Sequence, residues 1–344
     1  MAGATLRSFG WMHSAALALG LLMLTGCATT KPAEPARLDF GPPPWAVVIV
    51  PFDVSDLPAD KQWIGEGIAQ IVSLGLVQHP TIVQIERSRV TTIPPDVWTE
   101  PRVREAVRSV QAHAAVYGRV TRQGDELVVQ PVLLDARTGR TRSLTPMTFV
   151  ERDFLTRIAA LPALYAREIA PQLDENVAAR IEKAARPTAS LPAFRLFALG
   201  EREFDRGNPE AAVDSIARAL EADPRFVIGH YRLGIVHVGL RSRWKAAAQF
   251  RAALQLDPSM PEPYKAIGDL FLAAPRGLFE QAIEAYTRAI EFRPFYADAW
   301  GGLGDARAAK GDVDGATAAY RKAQTLDPFN PATRFKLEKL AGKS

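Results

Sequence analysis

Only one cysteine, Cys27, occurs among the 344 residues of this chain. A single thiol excludes an intramolecular disulfide framework and any cysteine-based zinc site. Histidine is scarce as well, with five in all, and His13 falls in the leading segment. His230 and His237 share a predicted helix, yet no further ligand stands at helical spacing beside them, so no metal site is expected. Charge of one sign is missing too. The 42 Lys and Arg nearly balance 38 Asp and Glu, for a net charge of +4. No basic face is clustered, so nucleic acid is not an expected partner. No apolar run reaches the roughly 20 residues that a membrane-crossing helix needs. Gly65 and Gly67 open a predicted helix, but the P-loop Gly-Lys-Ser and the third glycine of a dinucleotide fold are absent. Glu262 and Asp269 could pair as in a glycosidase, but the acids recur at repeat-equivalent places, which favours a binding surface. No nucleophile–base pair emerges. The chain therefore reads as non-enzymatic, with no catalytic residues, no metal and no cofactor.

What is present begins with a processing segment. Arg7 precedes about ten apolar residues from Ala15 to Leu24, the length of a signal-peptide core. "LTGC" follows and resembles the bacterial lipoprotein signal: Leu24, small Thr25 and Gly26, then Cys27 as the thiol that takes the lipid. That resemblance implies a signal peptide over residues 1–26 and lipid attachment at Cys27. Ala28 stands where an aspartate would retain such a protein in the inner membrane. The expected location is thus the cell envelope of a two-membrane bacterium, at the outer membrane facing the periplasm. Residues 27–44, rich in Pro, Ala and Thr, read as a tether. At about 3.1 Å per residue it would hold the next domain roughly 50 Å from the bilayer.

At 47% apolar and 23% charged residues the composition is globular, and the length suits two domains, each with its own core. Over residues 45–173, "WAVVIVPF", "TIVQIE", "AAVYGRVTRQ", "ELVVQPVLLDA" and "TRSLTPMTFVE" read as strands. Helices are expected at "WIGEGIAQIVSLGLVQH", at "PRVREAVRSVQAHA" and from about Phe154 to Leu173. This order predicts an α/β sandwich with a mixed sheet. "AVVIVPFDVS", "GEGIAQIVSLGLVQHPTIVQIERSRV" and "HAAVYGRVTRQGDELVVQPVLLDARTG" resemble the TolB amino-terminal-like domain. The resemblance implies protein contacts and assembly and no common active site. Its relatives include secretion and export rings and activators of cell-wall synthases. Residues 174–190 form a polar linker helix ending near Pro187.

From Leu191 the chain repeats itself. "RALEADPRF", "AALQLDPSM", "RAIEFRPFY" and "KAQTLDPFN" end four units over residues 191–330, at Pro224, Pro258, Pro294 and Pro328. Each unit opens with a Leu-Gly or Ile-Gly pair and carries an Ala–bulky–Ala series in its second helix: Ile216, Phe250, Tyr286 or Tyr320. Small residues let two helices approach, and each proline ends a helix because it lacks an N–H. The pattern is similar to the tetratricopeptide repeat. The third unit has two extra residues, expected in its inter-helix turn, and residues 331–344 read as a capping helix.

That resemblance implies a concave groove lined by the first helix of each unit. Carried onto this sequence, it places Phe197 and Glu201, Tyr231 and Ile235, then Glu262, Lys265 and Asp269, then Asp298 and Asp305 in the groove, with Phe335 and Lys339 on the cap. Such a groove is apolar at one end and acidic at the other, matching an extended peptide with a hydrophobic anchor and basic residues. The resulting expectation is an envelope scaffold that binds a peptide or protein partner. A ring-forming secretion or export subunit and a regulator of a cell-wall synthase are the alternatives.

Overall fold

The computed structural model describes residues 38–85, 87–90 and 97–342. The signal segment, Cys27 and most of the tether lie outside them. The tether reading stops sooner than expected, because Leu38 already packs on the core and Phe40 is buried in it.

Six strands form one mixed sheet: β1 (Trp45–Ile49), β2 (Ile82–Ile85), β3 (Ala114–Gln123), β4 (Glu126–Asp135), β5 (Thr141–Ser143) and β6 (Met147–Val150). Their order is β2-β1-β3-β4-β5, with β6 also on β4. β1 runs parallel to both neighbours, and the β3–β4 hairpin and its two short partners are antiparallel. β1 is buried on both faces, which is why "AVVIV" shows no alternation. Val47 and Ile49 face helix α1 (Trp63–Leu76), whereas Ala46, Val48 and Val50 face α3 (Glu100–Ser109). A short α2 (Arg87–Val90) lies between β2 and α3.

The helix expected over 154–173 is two helices, α4 (Phe154–Ile158) and α5 (Leu161–Ile169). Pro162 cannot extend α4 but fits the first turn of α5, where its missing N–H costs nothing. Close contact explains Gly75, whose place a Cβ would share with the Pro162 ring, 2.3 Å away. Helix α6 (Glu175–Ala184), capped by Asp174, is no free linker. Its Val177 and Ile181 are buried in the same core as α1 and α5.

Four helix pairs follow: α7 (Leu191–Asp205) and α8 (Pro209–Ala222), α9 (Val227–Gly239) and α10 (Arg243–Leu256), α11 (Pro261–Leu272) and α12 (Phe279–Phe292), α13 (Ala297–Lys310) and α14 (Val313–Leu326). Helix α15 (Pro331–Ala341) caps the last pair. The extra residues of the third unit fall in its turn, residues 273–278. Each bulky side chain sits over the glycine of its own hairpin. A Cβ at Gly234 would stand 2.4 Å from the Phe250 ring, and one at Gly304 would stand 2.5 Å from Tyr320. Among the described residues no helix is long and apolar enough to cross a membrane.

The expectation of two separate cores is corrected. One apolar cluster runs from Phe40 through the sheet and α1 into α7, α8 and α9. Its seam is a chain of rings. Trp63 meets Phe154 at 4.9 Å and Phe194 at 6.5 Å; Phe194 meets Phe197 at 5.9 Å, and Phe197 meets Phe226 at 5.0 Å. The far end of the helical array returns to the α/β unit. Phe329 packs edge-on to His113 at 5.2 Å, its carbonyl accepts from Arg89 Nη2 at 3.0 Å, and Arg180 lies over Phe295. Truncating Phe194 to alanine should therefore cost about 3–5 kcal/mol. Urea unfolding followed by circular dichroism and by tryptophan fluorescence should give one coincident, shifted transition. Two separated transitions would contradict a shared core.

Candidate functional site

Because the array touches the α/β unit at both ends, its concave face encloses space against α1 and β2. Two cavities result among the described residues, and a third lies beside them between the last units and the capping helix. The largest, about 450 Å³, lies between Leu74, Val77 and Ile85 on one wall and Phe204, Tyr231, Ile235 and Met260 on the other. A second, about 320 Å³, lies between Val77, His79, Ile82 and Val83 and the segment Phe295–Asp298 with Leu326 and Asn330. The third, about 180 Å³, is polar, lined by Lys265, Asp269, Asp298, Asp305, Asp327, Thr333 and Lys336. Asp298 lines all three, so they lie side by side along the concave face.

Buried ion pairs hold the apolar end. Glu201 is 2% exposed and pairs with Arg232 at 2.7 Å. Burial alone would lower the pKa of Arg232, but the Glu201 carboxylate outweighs it and raises the pKa above its ordinary value. Glu262 accepts from Arg293 Nη2, whose guanidinium also stacks over Tyr296 at 5.0 Å. Burial pushes the Tyr231 hydroxyl up to about 12, so it stays a neutral donor.

At the polar end two repeat-equivalent carboxylates do the same structural work. Asp269 accepts from the Tyr286 hydroxyl and Asp305 from that of Tyr320, both at 2.7 Å. Their second oxygens take Lys265 Nζ at 2.8 Å and Lys336 Nζ at 2.7 Å. Burial lowers the pKa of Lys265, but Asp269 and Asp298 reverse the balance and keep it charged. Four aspartates against two lysines still leave this end acidic.

Most of the residues read from the sequence as groove-lining meet here: Tyr231, Ile235 and Glu262 on the large cavity, Asp269 and Asp305 on the polar one, and Asp298 on both. Phe197 does not. It is fully buried between Phe194 and Phe226, because the first helix of the array is spent on contact with α1 rather than on the groove. On the cap, Thr333 and Lys336 face the cavity, while Phe335 is 65% exposed and does not line it. The wall supplied by β2 and α1, and Arg293, escaped the sequence reading. Arg293 had a signal: it stands where the other three units have the aspartate of Asp-Pro. Gly65 and Gly67 are packing positions. A Cβ on Gly65 would overlap the Phe52 carbonyl oxygen, and one on Gly67 would press on Phe194.

His79, just before β2, is buried, and its Nδ1 accepts from the Thr81 N–H at 3.3 Å. Burial, aided by the Arg180 charge, pulls its pKa from 6.5 down to about 4. The folded state thus binds fewer protons than the unfolded chain between these values. Its contribution to stability is complete above pH 6.5 and is lost as pH falls toward 4. Urea midpoints across that window should fall less steeply for His79→Asn than for the parent protein. Identical slopes would remove His79 from the acid response.

The tetratricopeptide-repeat family model matches residues 197–261 and 266–331. The protein O-mannosyl-transferase TMTC1 of Mus musculus is 30% identical over 139 residues, 39% of this chain but only 14% of that protein, so the chain spans a small part of that relative's length. Among solved structures, the thermophilic TPR protein TTC0263 of Thermus thermophilus is 24% identical, covering 43% of this chain and 80% of that one at a TM-score of 0.39. PilF of Pseudomonas aeruginosa is 22% identical, with 44% and 68% covered at a TM-score of 0.41. MamA of Desulfovibrio magneticus RS-1 is 20% identical, with 45% and 87% covered at a TM-score of 0.40. With the family match spanning both halves of the array and four stacked helix pairs behind it, the C-terminal part of this chain is a tetratricopeptide-repeat domain, built on a mixed-sheet α/β unit.

Proposed function

We propose that this protein is a non-enzymatic scaffold of the bacterial envelope, held to a membrane by lipid on Cys27, which binds a protein partner through the walled concave face of its repeats. Tetratricopeptide repeats imply a protein-interaction scaffold. The observation that carries the more specific reading is the row of three adjacent cavities, apolar near Tyr231 and Ile235 and acidic near Asp298. Such a gradient suits a partner with an apolar anchor and a basic residue. The TolB-like motifs fit the same role, since that resemblance implies assembly rather than chemistry. The "LTGC" sequence after a short apolar segment supports the anchor, and Ala28 supports the outer membrane.

Two measurements test this reading. Cells fed an alkyne fatty acid should label the parent protein in the membrane fraction, and Cys27→Ala should be unlabelled and released into the soluble periplasmic fraction. A Cys27→Ala form that stays membrane-bound would refute the anchor. A photocrosslinking residue placed at Ile235 should yield a discrete adduct in living cells. The same residue at Trp244, which is 74% exposed and lines none of the three cavities, should not. Adducts from Trp244 alone would place the partner elsewhere.

A further inference from the structure

β2 is the terminal strand of the sheet, and its free edge looks into the chamber. The register sets Trp45 beside Ile82 and Val47 beside Gln84, and Trp45 N donates to Thr81 O at 2.8 Å. In a parallel ladder each residue bonds to the positions on either side of its partner. The main-chain groups of Val83 and Ile85 are therefore turned toward β1, and those of Ile82 and Gln84 away from it. Among the described residues these outward groups have no hydrogen-bond partner, although Ile82 is itself buried.

Sheets commonly protect an edge by covering it with a helix or loop. Here the cover does not close on the edge. Val83 borders the 320 Å³ cavity, Ile85 the 450 Å³ cavity, and Gln84 both, so space remains along the strand. The Gln84 side chain is already tied to Ser73 through two bonds of 2.6 Å, so it fills neither cavity by swinging. An added strand lies only about 4.8 Å from its neighbour, and both cavities border the strand it would join.

Arg293 supplies an independent observation. In the other units the equivalent aspartate caps its own turn: Asp223 accepts from Arg225 N, Asp257 from Ser259 N and Asp327 from Phe329 N, at 2.9–3.0 Å. An arginine cannot do so. Its guanidinium instead lies inside, 4% exposed, on the border of both larger cavities. Nη2 is used by Glu262, but Nη1 has no acceptor among the described residues. An unmatched buried N–H is costly, and a main-chain carbonyl of a bound segment is the acceptor it lacks.

We propose that β2 and the concave face form a two-walled slot for an extended segment of a partner protein, which adds to the sheet as a strand. Ile82 and Gln84 pair with its backbone, and Arg293 donates to one of its carbonyls. An apolar side chain seats against Tyr231 and Ile235, and a Lys or Arg reaches the acidic end at Asp298 and Asp327. This rests on the protein-binding reading above, and it specifies the partner's conformation and charge.

The probe is a set of short synthetic peptides of alternating Val and Thr with one terminal Lys, together with Glu-for-Lys versions and singly N-methylated versions, titrated into the mature protein. The Lys peptide should bind at least about tenfold more tightly than the Glu peptide. N-methylation should abolish binding at alternate residues only, the period of a strand. Amide hydrogen exchange should slow at Ile82 and Gln84 and stay unchanged at Val83 and Ile85, which β1 already protects. Arg293→Lys keeps a cation for Glu262 but lacks the forked second N–H, so it should weaken the Lys peptide with a smaller fall in the urea midpoint than Arg293→Gln, which leaves Glu262 unpaired. Binding without protection at Ile82 and Gln84 would overturn strand addition and leave groove binding intact. Absence of binding by every peptide would also overturn it, and the Ile235 crosslink in cells would then judge the scaffold reading separately.

Discussion

Helix α1 is packed on both sides, and the architecture follows from that. One side covers the sheet and the other holds α7, so a single set of buried residues closes two modules. Trp63 and Phe194 are the joint, with Phe154 beneath and Phe197 and Phe226 beyond. Aromatic side chains bury much area and prefer edge or tilted contacts, which fixes the angle at which the array leaves the sheet. Once that angle is set, the curvature of four stacked pairs decides where the last turns arrive. They arrive at Arg180, Arg89 and His113 on the α/β unit.

A solenoid joined to its neighbour at one end would present an open concave surface. Joined at both ends, it presents a chamber with two walls rather than one. The sheet contributes β2 and the α1 face, and the repeats contribute charge. The buried pairs Glu201–Arg232 and Glu262–Arg293 lie where desolvation is expensive, so each needs its partner. They make the apolar end rigid. The Asp–Tyr pairs at the other end serve packing first, because each carboxylate anchors the hydroxyl of the ring that fills its hairpin.

Much of this is legible in the sequence. The four units, their glycine–bulky pairs and the mixed sheet follow from periodicity and residue size, which are local. The joint is not legible, because a shared core is a relation between distant segments, and α6 reads as a polar linker until Val177 and Ile181 find α1. Phe197 is misplaced for the same reason. It occupies a groove position by repeat logic, but the terminal unit gives that face to another module. Pro162 is a local signal for the break between α4 and α5, and the apolar neighbours on both sides mask it.

Arg293 shows how one unit of a repeat can depart from the local rule that the others keep. Three of four equivalent positions keep an aspartate for a purely local purpose, the capping of a turn. The fourth gives up that bond and moves a cation into the interior, beside Glu262 and Tyr296 on the border of the two larger cavities. Local stability alone does not favour this exchange, since it loses a cap and buries an N–H without an acceptor. Departures from local consistency concentrate where a protein does something other than fold. Here the departure lies on the border of both larger cavities, where a fold built only for stability would have kept Asp-Pro.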